Sequence, residues 1–170
     1  MKYILLSLTL FILMSCQKKE TKNDLSKVNA NEVIEVYNFE ELELFLQSSR
    51  NQTTVVNFWA TWCKPCIKEL PYFENLGEKY KGEVKIVLVS LDFPNKLESQ
   101  LIPFVSEKKL QSEVVLLDDP YENEWIPKVD TTWSGALPAT LIFKGEKKQF
   151  FEKSFTQEEL ENEILKIKNL

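Results

Sequence analysis

The longest unbroken apolar stretches set the frame of this chain. Val55 to Trp59 (VVNFW) and Val84 to Ser90 (VKIVLVS) are β-branched and aromatic runs of the kind buried on both faces of a sheet, and Glu113 to Asp118 (EVVLLD) reads as another strand. Glu32 to Tyr37 alternates apolar and polar residues as an edge strand does. Ala139 to Lys144 and Lys148 to Lys153, turning at Gly145-Glu146, read as a hairpin. Between these runs the period lengthens to that of helices. Asn38 caps a helix predicted from Phe39 to about Ser49, with Glu41 in capping-box spacing and an apolar face of Phe39, Leu42, Phe45 and Leu46. A second helix is expected from Cys63 to about Tyr80, kinked at Pro71 and closed off by Gly82. Lys96 to Lys109 is amphipathic but disturbed near Pro103, Tyr121 to about Val129 is short and interrupted or ended at Pro127, and Thr156 to Lys168 opens on Thr156 and Glu159 and closes on lysines. There is no internal repeat and no second domain.

With 170 residues the chain holds one domain plus appendages, enough to bury a core without disulfide staples. A formal charge of -5, with lysines scattered among acids, argues against nucleic acid as a partner. The absence of histidine excludes Ser-His and Cys-His nucleophile pairs and His-ligated metals within this chain.

The first residues add an address. Met1-Lys2 followed by the apolar Tyr3 to Met14 is too short to span a bilayer and reads as a signal over residues 1–15. Leu13-Met14-Ser15-Cys16 resembles the bacterial lipobox, which implies that Cys16 is lipidated and takes no part in redox chemistry. Residues 16–31 would then be a polar tether, with residues 32–170 as the folded domain held outside the cytoplasm.

The candidate chemistry lies where the first buried strand meets its helix. Ala60-Thr61-Trp62 delivers the strand to Cys63-Lys64-Pro65-Cys66, so two thiols sit at a helix N-terminus, where free N–H groups and the positive end of the macrodipole favour a thiolate. Pro65 suits a first turn because it lacks the N–H that would go unpaired there. A bare Cys-x-x-Cys also fits half of a zinc site, but four ligands would need partners this chain lacks, its other cysteine being Cys16. Cys63, expected to lie exposed at the helix start with a lowered pKa, is the nucleophile, and Cys66, a turn deeper, is the resolving thiol.

Strand, Trp-Cys-x-Pro-Cys and helix resemble the thioredoxin superfamily, and the longer string WATWCKPCIKELPYF, with Trp133-Ser134-Gly135-Ala136-Leu137-Pro138-Ala139-Thr140, is similar to the membrane-tethered TlpA/ResA thiol-disulfide oxidoreductases. The resemblance covers roughly Asn31 to Leu170. It implies an α/β, thioredoxin-like fold: a central mixed sheet flanked by helices, with an extra strand-helix unit before a cis-proline. It also implies that Pro138 is that cis-proline and that the backbone at Leu137 pairs with an extended substrate peptide.

A matching glutamate in ResA-like proteins tunes the thiols, so Glu69 would take the proton of Cys66; the alternative is a solvated helix glutamate paired with a lysine. Asn57 departs from thioredoxin, which carries a buried aspartate there, and Ala139 departs from the usual Pro-Thr. Trp62 is expected on the substrate-facing rim and Trp59 in the core. Trp133 either lines the substrate groove or fills space. Asp118-Asp119-Pro120 reads as a strand-ending turn rather than a metal-binding pair.

The function implied is reduction of disulfides in protein substrates, often cytochrome c apoproteins awaiting haem. It needs no cofactor beyond the Cys63/Cys66 couple, is fed by a membrane electron donor, and is expected of a monomer. Two rivals stand beside it: a peroxiredoxin-like thiol peroxidase, whose Pro-x-x-x-Thr/Ser-x-x-Cys setting is missing here, and a copper-binding or assembly protein of the same fold.

Overall fold

The computed structural model describes residues 33–169. The leader expected over residues 1–15, the lipidation expected at Cys16 and the tether expected to residue 31 lie outside the described residues. In chain order the elements are β1 (Glu35–Tyr37), α1 (Phe39–Gln47), β2 (Thr53–Trp59), α2 (Lys64–Lys79), β3 (Val84–Ser90), α3 (Ile102–Lys108), β4 (Glu113–Leu117), α4 (Glu122–Val129), β5 (Ala139–Lys144), β6 (Lys147–Phe151) and α5 (Gln157–Lys168).

The strands form one six-stranded sheet in the order β1-β4-β3-β2-β5-β6. β1, β4, β3 and β2 run parallel, whereas β5 is antiparallel to β2 and β6 to β5. The alternating edge pattern of the first strand is thus a true edge, and the continuous apolar runs are the interior strands, covered on both faces. Along β2 every residue is buried, and successive side chains go to opposite layers. Val55 and Trp59 join α2, the α3 region and α5 through Phe73, Val105, Leu160 and Ile164. Val56 and Phe58 join α1, α4 and the loop after α4 through Leu42, Trp125 and Trp133.

Three elements differ from the pattern-based expectation. The helix expected over 96–109 begins instead as a 3₁₀ turn, Pro94–Lys96, and a π turn, Leu97–Leu101, before α3 starts. Pro103 has no N–H to give and its ring would press on the Ser99 carbonyl in a regular helix, so the chain widens just before it. α4 runs through Pro127 to Val129, since Trp125 and Val129 are both buried and hold the last turn in place. β6 stops at Phe151, paired with Thr140, because the next residue, Glu152, turns aside to accept the Ser134 backbone N–H at 2.7 Å.

Both anticipated capping boxes are present, Asn38 with Glu41 on α1 and Thr156 with Glu159 on α5. The second also fixes the chain at Phe155, whose N–H reaches Glu69. Thr156→Ala is expected to cost about 1 kcal/mol, read as a lower denaturation midpoint at unchanged m-value.

Candidate active site

β2 delivers its end, Trp59, to a tight turn in which the Cys63 N–H donates to the Ala60 carbonyl at 3.0 Å. Cys63 is the N-cap of α2, in extended backbone conformation, and Pro65 occupies the first turn. Cys63 and Cys66 form a disulfide with their Cα atoms 5.3 Å apart, and the Cys66 N–H donates to Cys63 Sγ at 3.3 Å. The sulfur of Cys63 therefore receives a hydrogen bond from the open end of the helix, the arrangement that stabilises a thiolate once the bond is reduced.

The order of access follows the chemistry, but Cys63 is far less exposed than anticipated: 5% against 0% for Cys66. Its sulfur is turned onto the helix end and bonded to Cys66, which leaves only an edge at the surface. Trp62 is more than half exposed and forms the rim beside it, while Trp59 is fully buried and packs against Phe104.

The turn before Cys63 is held by a residue the sequence did not single out. Asp92, two residues past β3 and only 3% exposed, accepts the Thr61 N–H at 2.9 Å, the Thr61 hydroxyl at 2.6 Å and the Ser90 hydroxyl at 2.8 Å. It clasps the loops after β2 and β3 together directly ahead of the thiols. The signal available was an acid two residues past a largely apolar strand, where a surface turn is the ordinary reading. Asp92→Ala leaves the Thr61 N–H without its acceptor, so a loss of roughly 3 kcal/mol is expected in chemical denaturation, with slower alkylation of reduced Cys63.

Behind the disulfide lies Glu69, on the Cys66 side of α2 and 1% exposed. This burial excludes the solvated, lysine-paired alternative. Its Oε2 accepts the Phe155 N–H at 2.7 Å and its Oε1 faces Asn57 Nδ2 at 3.3 Å. Burial pushes its carboxyl up to about 7, against the pull of those two hydrogen bonds toward lower values.

The Leu137–Pro138 peptide is cis. Ala139 pairs with Phe58, so continuing that register sets Pro138 and Leu137 beside the end of β2 and its turn, next to the dithiol. Pro138 is buried and Leu137 half-buried. Trp133 does not line this groove. It is 5% exposed and packs at tilted and edge-on angles among Phe58, Trp125 and Phe150 in the opposite layer of the molecule. Of the two readings of this residue, space-filling is the one realised, because the loop folds under the sheet before reaching Leu137. Its indole N–H donates to the Ala136 carbonyl at 2.9 Å, so it shapes the approach to Pro138 from behind. Gly135 there has φ +92, and a Cβ would stand 3.3 Å from Ile126. Asp119, from the acidic pair, accepts the Phe39 and Tyr121 N–H groups at 3.1 and 2.9 Å, as a strand-ending turn requires.

A disulfide at the N-terminus of the helix after the first central strand, a cis-proline entering the neighbouring antiparallel strand, and this strand order define a thioredoxin-like fold with a dithiol site. The chain belongs to the AhpC/TSA family, whose model matches residues 28–148. It is 32% identical over 136 residues to a thiol-disulfide oxidoreductase ResA of Bacillus cereus, covering 78% of this chain and 73% of that protein. It is also 34% identical over 71 residues to the thioredoxin-like protein YneN of Bacillus subtilis (strain 168), spanning only 42% of that relative's length and 42% of this chain. Among solved structures, a secreted thiol-disulfide isomerase from Corynebacterium glutamicum superposes with a TM-score of 0.61 at 17% identity, over 74% of this chain and 75% of that one.

Proposed function

We propose that this chain is a thiol-disulfide oxidoreductase that reduces disulfides in protein substrates outside the cytoplasm, tethered through a lipid on Cys16. The observation that carries the reading is the Cys63–Cys66 disulfide capping α2, with its helix-end hydrogen bond and a buried carboxyl behind it. In the reduced protein the Cys63 thiolate attacks a substrate disulfide. One S–S bond breaks, a mixed disulfide forms, and the departing substrate thiolate takes a proton from water. Cys66 gives its proton to Glu69 and attacks the Cys63 sulfur, releasing the second substrate thiol and restoring the disulfide. Two electrons pass from the dithiol to the substrate, and a membrane donor must return them. Leu137, beside the cis-proline, offers backbone to an extended substrate, and Trp62 bounds the approach. ResA is the name of several relatives, and cytochrome c apoproteins fit as substrates because haem attachment needs their cysteines reduced.

The reduction potential of the couple tests this, measured by equilibrating the full chain against glutathione or dithiothreitol. A value near or below roughly -270 mV supports a reductant, whereas one near roughly -120 mV makes the protein an oxidant and overturns the proposal. Mass spectrometry of the mature protein tests the acyl group on Cys16. Peroxide consumption and copper stoichiometry of the reduced protein, run alongside, separate exchange from peroxidase and metal-binding functions.

A further inference from the structure

Asn57 is fully buried in the middle of β2, and its two amide atoms are unequally served. Nδ2 lies near three acceptors, Thr140 Oγ1 at 3.1 Å, Glu69 Oε1 at 3.3 Å and the Ala139 carbonyl at 3.4 Å, with two hydrogens to give. Oδ1 is buried without any partner among the described residues. Such an orphaned oxygen in a core is uncommon and costly, and it asks for an explanation. On the other side of the pair, Glu69 Oε2 accepts the Phe155 N–H at 2.7 Å while Oε1 accepts only from the amide at 3.3 Å, so Oε1 is the more weakly held oxygen and the one to take a proton.

We propose that Asn57 is a positioning residue whose amide follows the protonation of Glu69: Nδ2 donates to the carboxylate, and after a half-turn of the amide Oδ1 accepts the Oε1 proton of the acid. The proposal rests on the exchange reading, in which the proton moves from Cys66 Sγ to Glu69 Oε1 while its electron pair stays on sulfur as the thiolate.

The surroundings allow both orientations. The Thr140 hydroxyl accepts from Nδ2 or donates to Oδ1 with equal ease, and only the Ala139 carbonyl is tied to the donor orientation. The half-turn exchanges the bond to the carboxylate for one from the acid and gives up only the Ala139 contact, the longest of the three at 3.4 Å, while in each orientation one amide atom has no partner among the described residues. Among the described residues, the groups that meet the Glu69 carboxyl from other elements are uncharged: the Asn57 amide from β2 and the Phe155 backbone ahead of α5. The Asn57 amide is thus positioned to answer the change of charge. A buried aspartate at this position would meet the carboxylate with a second negative charge, whereas an amide serves both of its states.

The test is nuclear magnetic resonance on the intact chain in its disulfide form, where the thiols do not titrate. The ¹³C carboxyl signal of Glu69 and the ¹⁵N and ¹H signals of the Asn57 side-chain amide are followed through the titration of Glu69. Both are expected to move with one midpoint, and Asn57→Leu should raise that midpoint by about 1 pH unit, a tenfold gain in proton affinity. An amide whose signals stay flat while Glu69 titrates overturns the proposal, as does a Glu69 with an ordinary carboxylate midpoint. The wild-type measurement decides this even where the variant fails to fold. Disulfide reductase assays on the same sample fail independently, so a tracking amide in an inactive protein would refute only the exchange reading.

Discussion

Cys63→Ser is expected to reduce disulfide exchange to the rate of the buffer thiols alone, because a serine hydroxyl at the same helix end is not ionised near neutral pH and cannot attack sulfur. Cys66→Ser is expected to stop turnover in another way. The first attack still proceeds, but without the resolving thiol the mixed disulfide persists, and substrate remains covalently attached to Cys63 under non-reducing electrophoresis. The pair of variants reads the roles separately. Trapping by Cys63→Ser and not by Cys66→Ser would reverse the assignment of nucleophile and resolving thiol. The structure supports Cys63 as the attacking thiol: it caps α2 and keeps an edge at the surface, whereas Cys66 has none.

Glu69→Gln is expected to lower kcat about 100-fold above pH 7, the scale of a lost proton acceptor, and to remove one limb of the pH profile. With the wild-type carboxyl raised to about 7, it accepts a proton only when ionised, so the resolving step should quicken as pH rises through that value. In Glu69→Gln this rise disappears.

The same burial makes an opposite prediction for stability. In the unfolded chain the carboxyl has its ordinary value of 4.5, so between 4.5 and about 7 the folded protein binds the additional proton. Stability therefore falls as pH climbs through that window and stays low above it, by roughly 3 kcal/mol for Glu69 alone. The variant should lack this decline and be more stable than the wild type at pH 8 while being the poorer enzyme. Denaturation midpoints of the disulfide form at both ends of the window check it. A parallel pH dependence in the two proteins would show that Glu69 is not the group responsible.

The strands and most of the helices were legible along the chain because their causes are local. β-branched runs buried on both faces, capping boxes at Asn38 and Thr156, and a proline in the first turn of α2 each act within a few residues. The disturbance ahead of Pro103 was legible as well, but its form, a π turn over Leu97–Leu101, was not, because periodicity records which positions are apolar and not how the backbone accommodates a ring in the preceding turn. Cys63, Cys66 and Pro138 were legible for a different reason, since they sit in strings specific enough to resemble a family.

Sequence alone determined the reacting atoms: two thiols spaced one helical turn apart at the start of a helix, in a chain without histidine to offer other chemistry. Tertiary structure decided everything that depends on distant segments meeting. Asp92 reaches Thr61 across 31 positions, Phe155 reaches Glu69 across 86, and Thr140 reaches Asn57 across 83. Trp133 went to the far layer and Glu69 into the core by the same route. Burial is a property of the packed whole, and the energy of a carboxyl or an amide is set by what surrounds it, which no spacing along the chain records.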